Sequence, residues 1–277
     1  SENSVVHCGQ KAADARDAVK RAATLGEMAL GRLPIAARSA DTPQLLVINT
    51  LNFDRSGVLE LYVDHEMLPV DRPLWRGRMH AWAFFLTIPA GILLIAAADG
   101  IAATVGASIY VATLLALFGT SASYHRLAHS ARAREVMQRL DHAAIYLLIA
   151  GTYVPLCLVA LPRSWGIPML VAVGALAVLG MVLKLAFFHG ARYVSYALYI
   201  VMGWVAIVAT PALIDNLTSM QLGLIVAGGV AYTVGFPVLL RRRPDPWPMT
   251  FGYHEVWHLL VVVAAGLHFA AVTDVVA

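Results

Sequence analysis

The chain has 277 residues, 59% of them hydrophobic and 13% charged, with a mean hydropathy of +0.70 and a formal net charge of +3. These proportions exclude an ordinary soluble domain and point to an integral membrane protein, and so small a net charge gives no reason to expect a nucleic-acid partner. Only two cysteines are present, Cys8 in the polar front part and Cys157 inside an apolar run, so a disulfide framework is not expected.

Acidic residues gather at the front: ten of the seventeen lie in the first 78 residues. Residues 1–70 read as a small polar N-terminal extension, with an amphipathic helix over 10–34 and short strands over 44–50 and 57–63 around the turn-rich stretch Asn52-Phe53-Asp54-Arg55-Ser56-Gly57. Ser1 to Arg38 lacks the compact apolar core of a signal peptide. A segment of this size buries little core, so a weakly packed appendage of its own is expected ahead of a membrane domain over 71–277.

From residue 79 the apolar runs come at near-regular intervals: 79–98, 101–124, 143–161, 165–188, 193–213, 222–240 and 253–276. Each is close to the ~20 residues that a helix needs to cross the hydrocarbon core, which predicts an all-α bundle of seven transmembrane helices. Pro89, Pro155, Pro211 and Pro237 interrupt several runs, as membrane helices tolerate when neighbours satisfy the freed backbone groups.

Basic residues fall almost entirely on one side. Arg72, Arg76, Arg78, Arg126, Arg132, Arg134, Arg139, Lys184, Arg192, Arg241, Arg242 and Arg243 occupy one set of connections, and Arg163 stands alone in the other. The positive-inside rule then predicts a cytoplasmic N-terminus and a C-terminus outside. That direction is opposite to rhodopsin-like receptors, and the seventh run has no lysine to hold retinal.

Given this topology, the polar end of the second run, Ser121-Ala122-Ser123-Tyr124-His125, lies at the cytoplasmic face. So do the starts of the third, with Asp141-His142, and of the seventh, with His254-Glu255-Val256-Trp257-His258. His254 and His258 are one turn apart on one helix face and can share a metal. With His125 at the same depth they match the three-ligand arrangement of catalytic zinc, with Asp141 placed to hold or deprotonate the bound water. Ser121, one turn before His125, could bond that water or the carboxylate. His129 lies further into the basic loop and reads as solvated. His142 reads as a packing or loop-bonding residue. His268, ~15 Å along the helix from His258, reads as a satisfied core histidine.

The letters H-E-x-x-H also permit an intramembrane metalloprotease, with Glu255 as base and Asp141 as third ligand, although that scheme gives His125 no task. Haem ligation is a further use of membrane histidines, one that a Soret band would reveal.

Three stretches, Ser121-Ala122-Ser123-Tyr124-His125, Leu140-Asp141-His142 through Pro155, and His254-Glu255-Val256-Trp257-His258-Leu259 with His268-Phe269, resemble the hemolysin III family, bacterial relatives of the progestin and adipoQ receptors. With Arg76-Gly77 the resemblance covers residues 75–276. It implies seven helices in a bacterial plasma membrane and a zinc ion near the inner leaflet, held by His125, His254 and His258, with Asp141 and Ser121 around its water. It also implies a hydrolase of membrane lipid amides or esters. The competing readings are a receptor or scaffold with structural zinc, and a cytolytic membrane protein.

Overall fold

The computed structural model describes residues 73–188, 190 and 192–277, and the helix expected over 10–34 and the strands over 44–50 and 57–63 lie outside them. Seven helices in this part are long and apolar enough to cross a membrane: span one (Arg78–Ala97), two (Gly100–Leu127), three (Arg132–Ala160), four (Arg163–Ala186), five (Tyr193–Asn216), six (Ser219–Arg241) and seven (Tyr253–Val276). Among the described residues no strand forms. The protein is an integral membrane protein with an all-α, seven-span bundle.

Span three differs from its expected bounds. Its helix starts at Ala131, a dozen residues before the apolar run, because the Ser130 hydroxyl accepts from the Ala133 N–H at 3.1 Å and caps the first turn. Asp141 and His142 therefore sit within a helix rather than at its mouth. Span five is broken where proline dictates. Pro211 has no N–H to give, and the helix tightens to 3-10 geometry over Val205–Ala209 before resuming at Thr210–Asn216.

Hydrogen bonds between connections fix which ends lie together. At one end the Leu74 and Trp75 N–H groups donate to the carbonyls of Met249 and Thr250, and the Arg139 guanidinium donates to the Leu185 carbonyl. At the other end the Asp99 N–H donates to the Val276 carbonyl at 2.9 Å, and the Gln221 amide to that of Asp274. The basic connections thus share one end of the bundle.

Two cores fill the interior. Leu94, Tyr110, Leu114, Ala144 and Val261 join spans one, two, three and seven, while Tyr146, Tyr153, Met169, Val173 and Met202 join three, four and five. Buried tyrosines find backbone acceptors, Tyr146 at the Ser195 carbonyl and Tyr153 at that of Met202, both 2.9 Å. Lipid offers no hydrophobic drive between helices, so close approach needs small residues. Gly151 supplies one: a Cβ there would stand 2.8 Å from Thr113 Cβ and overlap the rest of that side chain.

Candidate metal centre

Span two delivers His125 one turn past Ser121, and span seven delivers His254 and His258 from its first two turns. At the basic end these meet. One ligand nitrogen from each of the three lies within 4.8 Å of the others, and the His125 and His254 Nε2 atoms are 3.2 Å apart. His125 and His258 are buried, and His254 is half-buried. The Nδ1 of His258 is buried with no hydrogen-bond partner, an unfavourable state for a ring nitrogen unless something else satisfies it. Three converging imidazoles on rigid helices, one with an orphaned nitrogen, fit a zinc ion with an open fourth position.

His80, in the first turn of span one, completes the cluster, and no spacing in the sequence marks it. Its ring stacks on that of His258 with centroids 3.9 Å apart and planes 10° from parallel, and its Nδ1 shares a 2.8 Å hydrogen bond with Ser121 Oγ. Ser121 thus reaches the centre already bound to an imidazole. The signal available was the rule that an ionisable side chain inside a span is costly and seldom idle.

Gly77, just ahead of span one, adopts φ +72°, the left-handed region that glycine enters freely. A Cβ at this position would stand 2.7 Å from the His125 Cβ, so the segment can lie directly against that histidine only as glycine.

Glu255 is fully buried but does not face the imidazoles. Its Oε1 accepts from Arg76 Nε at 2.6 Å and its Oε2 accepts from the Gly252 N–H at 2.9 Å, capping the helix that carries His254 and His258. Glu255 is thus tied to the helix cap and to Arg76 and is not among the residues that line the cavity beside the histidines. The base of a H-E-x-x-H protease, by contrast, must reach the metal-bound water. Arg76, in the sequence only a topology marker, is its counter-ion.

Among the described residues the other histidines stand outside the three-ligand group, although His142 and His268 line the cavity beside it. His129 is exposed beyond the end of span two. His142 shares a 2.8 Å hydrogen bond with the Gln138 carbonyl and packs edge-on against Phe188. His268 bonds the Ile225 carbonyl at 3.1 Å across spans six and seven.

A cavity of about 180 Å³ opens from the centre into the bundle. His80, Ser121, Asp141, His254 and His258 line its polar end. Beyond them its wall is apolar and aromatic, drawn from spans three, five, six and seven. Asp141, from span three, therefore lines the same space as His254 and His258.

Residues 69–269 match the model of the family described as Haemolysin-III related. The chain belongs to that family. It is 36% identical over 196 residues to Hemolysin-3 of Bacillus cereus, covering 70% of this chain and 86% of that one. Against the Hemolysin-3 homolog of Bacillus subtilis the identity is 32%, with 70% and 89% covered. The Heptahelical transmembrane protein ADIPOR2 of rice is 31% identical over 180 residues, 59% of this chain and 79% of its own. Seven apolar helices and bacterial relatives of this kind place the protein in the plasma membrane.

Proposed function

We propose that this member of the family is a zinc-dependent hydrolase of membrane lipid amides or esters, with its basic end in the cytoplasm and its site near the inner leaflet. The observation that carries the proposal is the cavity beside the histidine cluster: His125, His254 and His258 bring ligand nitrogens within 4.8 Å of one another, and two of them, His254 and His258, line one largely apolar space with Asp141 and Ser121.

His125, His254 and His258 would hold the ion. When bound, zinc supplies a Lewis acid for the carbonyl and lowers the pKa of water toward ~7. Asp141 takes a proton at its carboxylate as general base. Ser121, held by His80, fixes a hydrogen bond at the same wall. The aromatic walls take the acyl tail and keep bulk water from the reacting carbonyl, which strengthens each polar contact within.

The test is hydrolysis of ceramide and lysophospholipid by purified protein in detergent, wild type beside Asp141→Asn. The proposal expects turnover in the wild type and at least a ~100-fold loss in the variant, with zinc content unchanged. Turnover that survives the substitution contradicts the role of Asp141. Zinc at full occupancy without turnover, combined with a lower unfolding temperature after chelation, would instead establish a structural ion that clamps span two to span seven, as in a receptor or scaffold.

A further inference from the structure

The cavity has a second polar station, deeper in the bundle than the first. His268 on span seven and Tyr232 on span six both line it, with their rings 5.7 Å apart. His268 stands ten residues past His258, ~15 Å further along the same helix. Span six makes room for it at Gly228, one turn before Tyr232, where a Cβ would overlap the His268 ring. An imidazole fitted so closely into the middle of a membrane span is costly and seldom without a task.

The hydrogen bonds at this level are half complete. A carbonyl only accepts, so His268 Nε2 donates to the Ile225 carbonyl at 3.1 Å, and Nδ1 is left as the acceptor of a neutral ring. Among the described residues neither that Nδ1 nor the Tyr232 hydroxyl has a hydrogen-bond partner. Polar side-chain atoms sealed from all open space without a partner are, among those residues, His80 Nε2, Ser195 Oγ and His258 Nδ1. His268 Nδ1 and the Tyr232 hydroxyl are not of that kind, so each opens on the space that its residue lines.

An imidazole acceptor beside a phenolic hydroxyl suits a ligand group that both donates and accepts at one point, as an alcohol does. A ketone or ester oxygen only accepts and would leave Nδ1 without a donor. A carboxylate or phosphate calls for a cation, and among the described residues no lysine or arginine lines the cavity. A plain hydrocarbon chain would leave both groups unpaired.

We infer that His268 and Tyr232 bind a hydroxyl group carried part-way along a lipid chain, so that the cavity selects hydroxylated acyl chains over plain ones. This rests on the reading of the cavity as the seat of a lipid tail. It adds the class of chain and the level at which its second polar group is held.

The test is binding to the full chain in detergent, read as displacement of radiolabelled stearic acid. The competitors are unlabelled stearic acid and a series of hydroxystearic acids that differ only in the position of the hydroxyl. A polar group left unpaired costs about tenfold in affinity, so with two such groups the best-placed hydroxyl should bind ~100-fold more tightly than the plain chain. Hydroxyls next to the carboxyl end should gain nothing. Tyr232→Phe removes one oxygen and keeps the ring, and it should cut the preference to ~10-fold. An equal loss for plain and hydroxylated chains would make Tyr232 a packing residue and overturn the site. Hydroxylated chains no tighter than stearic acid, or equally tight at every hydroxyl position, overturn the inference while leaving the cavity a lipid site. Failure of every chain to bind, stearic acid included, overturns it together with the lipid reading of the cavity.

Discussion

Half of span two and half of span three are buried inside the protein, against 22% of span five and 17% of span six. Gly151 lets spans two and three approach, Arg76 and Glu255 pair at the entrance of span seven, and the imidazoles converge between spans two and seven. Spans five and six contribute aromatic and aliphatic wall to the cavity, and they are joined to their neighbours at Ser195, Met202, Gln221 and Ile225. In lipid, apolar contact alone does not distinguish a helix neighbour from a lipid tail. The packed half must therefore be tied by shape and polar bonds, while the loose half is free to meet lipid.

The largest effect should come from breaking the tie at the entrance of span seven. Arg76→Ala leaves the Glu255 carboxylate buried without its counter-ion, which costs about 3–5 kcal/mol and lowers the thermal unfolding midpoint in detergent. A midpoint equal to wild type would show that the pair does not hold the packed half. Next comes a contrast between two glycines. Gly151→Val overlaps Thr113 and should cost about 1–3 kcal/mol, whereas Gly229→Val, on the cavity wall of span six with open space around it, should leave the midpoint nearly unchanged. If both glycines tolerate valine equally, the two halves do not differ in packing.

A smaller effect is expected at His80. His80→Phe keeps a ring against His258 but drops the bond to Ser121, and it should weaken zinc binding ~10- to 100-fold while the fold persists, measured by competition with a chromophoric chelator. Unchanged zinc affinity would reduce His80 to packing. The smallest is Thr233→Val on span six, whose hydroxyl bonds only the Gly229 carbonyl of its own helix. Stability should stay within about 0.5 kcal/mol and zinc content should be unaltered.

The same contrast governs what the sequence could disclose. Seven apolar runs of near-membrane length make the span count legible, since length and hydropathy are local properties. The start of span three is not, because residues 131–142 form about three polar, amphipathic turns that hydropathy passes over while Ser130 caps them. His125, His254 and His258 were legible because alternation of spans puts them at one depth, and depth together with ligand chemistry narrows the choice. His80 was obscured by its neighbours: Arg72, Arg76 and Arg78 read as an orientation signal, and its partner Ser121 is 41 residues away. Lys184 was obscured in the opposite sense. It reads as a loop cation, yet it lies buried in the last turn of span four beneath the rings of Phe188, Tyr196 and Tyr199. Glu255 shows how spelling misleads. H-E-x-x-H suggests a base, but its place three residues past Gly252 is a helix-cap position, and the cap with Arg76 is what it serves.

Everything proposed about chemistry rests on the three histidines holding an ion together. The direct measurement is zinc per protein, by inductively coupled plasma mass spectrometry, in monodisperse wild type and in His125→Ala, His254→Ala, His258→Ala and Glu255→Gln. The account predicts about one equivalent in wild type and in Glu255→Gln, and less than about a tenth in each histidine variant. Wild type without zinc, or His125→Ala retaining it while Glu255→Gln loses it, would contradict the three-histidine centre.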